Sequence, residues 1–169
     1  MATNSNGTQN AREKEKIPLT REGYEEKKQR LHFLITERRP AVADYIHDAK
    51  EAGDISESSA YEDAKNLQAM LEGEIQELQI LLENAVILEA PEQNDGKRVV
   101  RLGSTVEVVN SRGETKSFQL VSTVEASPAA RKLSDQSPVG KALMGHAEGD
   151  KVEVTTPGGQ VAYTIRAIK

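Results

Sequence analysis

The 169-residue chain contains no cysteine and no tryptophan, and aromatic residues make up only 4% of it. Without cysteine the protein cannot have a disulfide scaffold, a thiol nucleophile, or a zinc or iron–sulfur site built on thiolates. No segment approaches the roughly 20 consecutive apolar residues that a membrane-spanning helix needs, so we expect no membrane partner. Residues 1–16 lack the apolar core of a secretory signal, and we therefore expect a cytoplasmic protein.

The charge of the chain is distributed unevenly. The net charge is −5 at pH 7, yet residues 17–88 alone hold 8 Lys and Arg against 15 Asp and Glu. General binding to a nucleic-acid backbone requires clustered Lys and Arg, which this acidic section lacks. We therefore expect any contact with nucleic acid to involve a small site or a partner protein.

Residues 17–89 have the pattern of a helical hairpin. Thr20 is a predicted N-cap, and apolar residues recur at spacings of three, four and seven over residues 24–49 and again over 61–85. Pro40 interrupts the first pattern and should kink the helix or remove a hydrogen bond. Two helices of about 30 residues joined by a short turn lie antiparallel and form an arm about 40 Å long. The pattern is also typical of a dimerisation coiled coil, an alternative that the sequence leaves open.

The segments on either side of the arm differ from it in pattern. Residues 1–16 lack periodic apolar residues, so we expect a disordered extension. Residues 90–97 are rich in turn formers and mark a domain boundary. Residues 97–169 then predict one short helix over 137–144 and strands over 105–109, 118–121, 151–155 and 161–165. We therefore predict an α+β protein, in which an antiparallel two-helix coiled coil precedes a twisted antiparallel sheet with one short helix.

Most motifs of catalytic sites are absent from the chain. The three histidines, at positions 32, 47 and 146, do not have the spacing of metal ligands. The sequence also has no phosphate-binding glycine loop, nucleophile elbow or HExxH motif. The sequence by itself therefore gives no reason to expect a complete active site.

The predicted turn between the two helices is acidic and has two interpretations. Asp54 and Glu57 can form a capping box at the start of the second helix, where each carboxylate stabilises the helix by about 0.3–1 kcal/mol. The same two carboxylates stand at the exposed end of a long arm, close enough to share one Mg²⁺. Proteins typically hold that ion with one or two carboxylates together with water and phosphate oxygens. Spacing alone leaves both interpretations open.

Short motifs along the chain occur in a recognisable order. They are Leu19-Thr20-x-x-Gly23, Arg39-Pro40, Ala52-Gly53-Asp54-Ile55-Ser56-Glu57, Tyr61-x-x-Ala64-Lys65, Ala85-Val86-Ile87-Leu88, Gly103-Ser104-Thr105-Val106, Glu125-Ala126, Ser137-Pro138-x-Gly140-x-Ala142-Leu143-x-Gly145, Gly149-Asp150 and Thr156-Pro157-Gly158-Gly159. Each motif is weak alone. Together, from Ile17 to Ile168, they resemble the Gre transcript-cleavage factors, in particular the GreA branch.

The resemblance implies a fold and a function. It implies an N-terminal antiparallel coiled coil and a C-terminal FKBP-like domain that docks at the rim of the secondary channel of bacterial RNA polymerase. The arm would pass inward through the channel and stimulate the polymerase's own hydrolysis of the nascent RNA 3′ end in backtracked complexes. On this interpretation the chain is not itself an enzyme, because the active site is completed by the polymerase. We further expect it to be a monomer.

The resemblance also implies roles for particular residues. Asp54 and Glu57 match the family's two tip acids, which help to hold an Mg²⁺ shared with the polymerase and to position the attacking water. We expect no Mg²⁺ on the isolated protein. Ser58 and Tyr61 would support the tip, and Lys65 would face the RNA. In the C-terminal domain, the docking residues would be Gln136, Ser137 and Pro138.

Two alternatives to cleavage stimulation stay open. Ala60 stands where the family usually has a further Glu, which motivates a Gre-like protein that enters the channel and inhibits without cleavage. The second alternative is an FKBP-like folding helper with a helical arm. Such isomerases usually have an aromatic-lined proline pocket, and the C-terminal domain offers only Phe118 and Tyr163 for one.

Overall fold

The computed structural model describes residues 16–51, 59–88 and 98–169. The predicted disordered extension apart from Lys16, the acidic turn, and the predicted boundary segment lie outside these ranges. The predicted arm is present as helices α1 (Arg21–Phe33), α2 (Arg39–Glu51) and α3 (Ser59–Asn84), with a π-helical turn over Leu34–Arg38 between α1 and α2. Among the described residues, no helix combines the length and the apolar character that crossing a bilayer demands.

The start of α1 confirms the predicted cap. Thr20 has extended backbone angles, and its side-chain oxygen accepts a hydrogen bond from the Gly23 amide at 3.0 Å. This bond satisfies one of the amides that the first turn of a helix leaves unpaired. Thr20 therefore fixes the point at which the arm begins.

Pro40 is accommodated by a change of helix type. The regular ladder gives way to a π-helical turn just before it, in which the Arg39 amide donates to the Leu34 carbonyl, five residues earlier. Proline has no amide hydrogen to donate to the carbonyl four residues earlier, and the wider π-helical turn accommodates the loss of that hydrogen bond. The first predicted helix is consequently interrupted once and then continues to Glu51.

The helices of the arm pack along one apolar seam. Its buried residues are Leu34, Val42, Leu71 and Ile75, flanked by half-buried Leu and Ile side chains. Outside the seam the arm exposes charged side chains together with several large apolar ones, namely Phe33, Tyr45, Leu67, Met70 and Ile80. The apolar stripes that suggested a coiled coil are therefore paired with each other inside the chain.

A two-stranded parallel sheet closes the end of the arm from which α1 starts. Strand β1 (Ile17–Leu19) pairs with β2 (Ala85–Ile87), and the Leu88 amide adds a bond to the Leu19 carbonyl at 2.8 Å. This pair was not predicted, because three-residue strands at opposite ends of a hairpin leave little pattern. It ties the first and last residues of the arm together.

The C-terminal region is a five-stranded sheet with one short helix. The strands follow the order β5-β4-β3-β7-β6 and the helix packs its apolar side onto the core. The elements are β3 (Thr105–Asn110), β4 (Thr115–Val121), β5 (Lys132–Ser134), α4 (Pro138–Leu143), β6 (Lys151–Thr156) and β7 (Gly159–Ile168). The predicted α+β class, the four predicted strands and the helix are confirmed.

The sheet is mixed, which corrects the prediction of a wholly antiparallel one. Strand β5 runs parallel to β4, with Leu120 opposite Leu133. The chain leaves β4 through two short 3₁₀ turns, over Thr123–Glu125 and Pro128–Ala130, and reverses at Arg131, whose φ is +56°. A tight hairpin would have returned the chain antiparallel; this longer crossing brings it back in the same direction.

The core of the sheet domain is formed by ten buried side chains. They are Val100, Val106, Val108, Leu120, Leu143, Val152, Val154, Tyr163, Ile165 and Ile168. Side chains along β3 and β6 point alternately into the core and away from it, as the sequence pattern predicted.

Candidate functional site

The far end of the arm is the first part of the candidate site. Because β1 and β2 close one end of the arm, the C-terminus of α2 and the N-terminus of α3 lie at the other, about 40 Å away for a helix of 26 residues. Both lead into residues 52–58. Asp54, Glu57 and Ser58 fall in that segment, outside the described residues, so their predicted roles stay predictions.

The first turns of α3 carry the two predicted tip residues that the structure describes. Tyr61 is half-buried and Lys65 is exposed, one turn further along the same face of the helix. The Lys65 ammonium donates to the Gln68 side-chain oxygen at 2.6 Å. The lysine ammonium is therefore exposed in the second turn of α3, and its predicted role towards RNA stays a prediction.

The predicted docking residues lie together at the start of α4. Gln136 and Pro138 are exposed, whereas Ser137 is half-buried. The Ser137 hydroxyl donates to the Ser134 carbonyl at 2.6 Å and accepts from the Gly140 amide at 3.0 Å. Ser137 therefore caps the helix, and the surface of this corner is presented by its two neighbours.

Gly140 shows why this corner has its motif. A Cβ atom at this position would overlap the Ser134 carbonyl oxygen. Because this oxygen belongs to the backbone, no movement of a flexible side chain could relieve the overlap. The close approach lets the first turn of α4 sit directly on the end of β5. Each residue of the motif thus has its own structural reason: Ser137 caps the helix, Pro138 begins its first turn, and Gly140 allows the close backbone contact.

The histidines are not brought together. Within residues 16–51, 59–88 and 98–169 there is no group of three or more His, Cys, Asp or Glu side chains that could hold a metal ion. His146 Nδ1 instead lies 3.3 Å from Asp150, and His47 lies 3.4 Å from Glu51. Each of these pairs is a local contact one turn or loop long.

The two aromatic side chains of the sheet domain pack into its core. Tyr163 is buried, and Phe118 is half-buried against the same cluster. The two side chains that the folding-helper alternative would need for a proline pocket therefore contribute to the core of the sheet domain.

Sequence reasoning missed the role of Glu125. The residue was noticed only as part of a motif, yet the structure buries it and bonds its carboxylate to Thr20 at the start of the arm. No local pattern could have shown this, since the partners are 105 residues apart. The one available signal was that both residues belong to the ordered set of motifs along the chain, Leu19-Thr20-x-x-Gly23 and Glu125-Ala126.

Comparison with known proteins gives matches over most of the chain. Residues 17–87 match the family model described as "Transcription elongation factor, N-terminal", and residues 94–169 match "Transcription elongation factor, GreA/GreB, C-term". The chain is 44% identical to transcription elongation factor GreA of Thermomicrobium roseum, with 90% of this chain and 96% of the relative covered. It is 41% identical to the protein of the same name from Geobacillus kaustophilus, with 90% and 96% covered.

Among solved structures, the chain is similar to the GreA factor homolog 1 (Gfh1) protein of Thermus thermophilus. The identity is 36%, the match covers 91% of this chain and 99% of that one, and the TM-score is 0.41. The two family models and the curated relatives agree with the motifs quoted from the sequence. The chain belongs to the GreA/GreB family of transcription elongation factors.

Proposed function

We propose that this protein binds bacterial RNA polymerase through its secondary channel and stimulates cleavage of the RNA 3′ end in backtracked complexes. The observation that carries the proposal is the separation of two regions. One is an arm about 40 Å long whose far end leads into the segment containing Asp54 and Glu57. The other is a sheet domain with its own core that exposes Gln136 and Pro138 at one corner. Docking by the second region would deliver the first to a distant site.

The donor chemistry of the arm's acidic segment fits a shared Mg²⁺. Asp54 and Glu57 offer carboxylate oxygens, which this ion prefers, but two carboxylates supply fewer than its six ligands. The remaining ligands would come from water, RNA phosphate and the polymerase. When bound, such an ion lowers the pKa of a coordinated water and stabilises charge on the oxygens of the phosphodiester. The chain's own contribution is to hold two carboxylates at the end of a rigid arm.

Lys65 and the docking corner complete the proposed division of work. Lys65 carries an exposed positive charge on α3 close to the acidic segment, so it would attract the phosphates of the displaced RNA. Gln136 and Pro138 would contact the channel rim. Because the polymerase supplies the other catalytic groups, the protein acts on the polymerase's reaction and has no substrate of its own.

The decisive experiment uses variants that separate helix capping from metal binding. Asp54→Asn keeps an N-cap of about equal quality, and Glu57→Gln keeps a capping-box side chain, so both should leave folding and polymerase binding unchanged. Each removes a charged ligand and should slow cleavage at saturating factor by roughly 100-fold. Raising the Mg²⁺ concentration should restore part of the rate, since a weakened site refills by mass action.

The matched controls are Asp44→Asn and Glu37→Gln, which make the same chemical changes at exposed positions elsewhere on the arm. They should cleave at the wild-type rate. Near wild-type rates for the two tip variants would contradict the metal role and leave the capping box as the explanation of these acids. Polymerase binding by the unaltered protein without RNA release would favour the inhibitory alternative that Ala60 suggests. Proline isomerisation without polymerase binding would favour a folding helper.

A further inference from the structure

The joint between the arm and the sheet domain contains a buried carboxylate. Glu125 stands at the end of the 3₁₀ turn that follows β4 and is only 6% exposed. One of its carboxylate oxygens accepts from the Thr20 amide at 3.0 Å, and the other accepts from the Thr20 hydroxyl at 2.5 Å. The Ser122 hydroxyl donates to the first oxygen at 3.3 Å. A charge taken out of water is thus compensated by donors from both regions.

The first turn of the arm is shaped to receive this carboxylate. Gly23 is buried there, and a Cβ atom at its position would overlap the Glu125 carboxyl group. The Thr20 hydroxyl that donates to Glu125 also accepts from the Gly23 amide, so the helix cap and the joint share one hydroxyl. The negative charge also lies at the end of α1 where the helix dipole favours it. Thr20, Gly23 and Glu125 therefore form one interlocked unit.

The surroundings of this unit are open. A cleft of about 680 Å³ lies beside it, lined by arm residues and by Val124 from the sheet domain. Phe33 and Val124, which border the cleft, are 44% and 40% exposed. Lys132 adds an ion pair to Glu26 at 3.7 Å. Since apolar packing does not seal this side, the direction of the arm depends strongly on the Glu125 bonds.

We propose that Glu125 is a positioning residue, whose bonds to Thr20 set the direction of the arm relative to the sheet domain. This inference rests on the proposed function, because in a complex with the polymerase the direction of the arm would set the position of its acidic end. Over an arm about 40 Å long, a rotation of about 10° at the joint moves the far end by about 7 Å. A misplacement of about 1 Å can cost a reaction 100-fold, so the joint controls cleavage without touching the RNA.

A distance measurement tests the joint directly and without polymerase. The chain has no cysteine, so Ala69→Cys on α3 and Lys116→Cys on β4 give a unique pair of exposed attachment points for spin labels. Glu125→Ala and Gly23→Ala should broaden or shift the distance distribution between the labels. Glu125→Gln should restore part of the wild-type distribution, because its amide oxygen can still accept from the Thr20 amide.

Two matched controls make the same changes away from the joint. Gly73→Ala adds a methyl group to a helical glycine with nothing within 4 Å, and Glu153→Ala removes an exposed carboxylate on β6. Both should keep the wild-type distribution. Unchanged distributions for Glu125→Ala and Gly23→Ala would overturn the proposal. A thermal unfolding curve identifies any loss of folding, and in that event Glu125→Gln, which keeps the size of the side chain and removes its charge, takes their place and should still shift or broaden the distribution relative to wild type.

A cleavage assay tests the consequence. For Glu125→Ala we expect the half-saturating factor concentration to stay within about twofold of wild type, because the proposed docking side chains are Gln136 and Pro138 and not Glu125. The maximal rate should fall by at least about tenfold. A shifted distance distribution with an unchanged maximal rate would overturn the positioning role. Absence of cleavage with the unaltered protein would instead overturn the proposed function, and the distance measurements would still decide whether Glu125 orients the arm.

Discussion

The arm and the sheet domain are stabilised in different ways. Among the described residues, the sheet domain encloses ten buried side chains in one cluster, whereas the buried cluster between α1–α2 and α3 has four. Away from the seam the arm carries exposed ion pairs, such as Arg30 with Glu74 at 2.9 Å, which stabilise it little. A region with a closed core can serve as a fixed base, and a region with a one-sided seam can be thin enough to enter a narrow passage. The proposed division between docking and chemistry follows this structural difference.

The largest effects should come from matched substitutions in the two apolar clusters. Leu120→Ala in the sheet domain and Leu71→Ala in the arm delete the same atoms from positions that are 0% and 7% exposed. Leu120→Ala should lower the free energy of unfolding by about 4 kcal/mol, and Leu71→Ala by about 2 kcal/mol, since the thinner seam can close around a smaller side chain. Chemical denaturation of each variant measures both values. Equal losses would show that the arm is packed as tightly as the sheet domain.

A smaller effect should separate docking from chemistry. Gln136→Ala removes an exposed side chain at the proposed docking corner and should raise the half-saturating factor concentration about fivefold with the maximal cleavage rate unchanged. Gln160→Ala, at an exposed position of β7, is the matched control and should leave both parameters at wild type. A loss of maximal rate in Gln136→Ala, with normal affinity, would mean that this corner does more than dock.

The sequence predicted those parts of the fold that depend on local patterns. The Thr20 cap, the short helix α4 and the strands β6 and β7 all rest on residues within a few positions of each other, and all of them are confirmed. The pairing of β1 with β2 and the bonds from Thr20 to Glu125 were missed. In both cases the partners are far apart along the chain and the segments are too short to show a period.

The distinction between local patterns and distant partners also explains which parts of the candidate site the sequence predicted. Asp54 and Glu57 were found because two acids at a predicted turn form a local pattern, and their role stays a prediction. The mixed character of the sheet depended on how the chain crosses from β4 to β5, and the reversal at Arg131 has no residue type that announces it. Glycine or asparagine would have been the usual signal for that conformation.

Gly73→Ala should give a small gain in stability and sharpen the contrast between the two regions. Gly73 lies in the interior of α3 with nothing within 4 Å of an added Cβ, so alanine removes an entropic cost without a clash. The free energy of unfolding of the arm should rise by about 0.5–1 kcal/mol. Gly140→Ala is the matched counterpart in the sheet domain and should destabilise, because its Cβ meets the Ser134 carbonyl. Denaturation midpoints of the two variants should therefore move in opposite directions.

The smallest effect should come from the exposed pair of Arg39 and Glu72. The Arg39 guanidinium donates two hydrogen bonds to the Glu72 carboxylate, at 2.8 and 2.6 Å, and the hydrogen bonding raises the pKa of Arg39 above its usual range. A base whose pKa is raised on folding contributes stability below its unfolded pKa and loses it only as the pH rises through the folded value. For an arginine both values are strongly alkaline, so the side chain stays charged and adds no pH dependence between pH 5 and about 9.

Solvent screens this pair, and holding two long side chains together opposes the attraction. Arg39→Gln and Glu72→Gln should therefore leave the melting temperature close to wild type, and 0.5 M salt should remove whatever difference is seen, since the screening length there is only about 4 Å. The double variant should equal either single one, because each already breaks the same pair. A large, salt-independent loss in the single variants would show that the arm depends on its outer ion pairs more than on its apolar seam, and would reverse the contrast with the sheet domain.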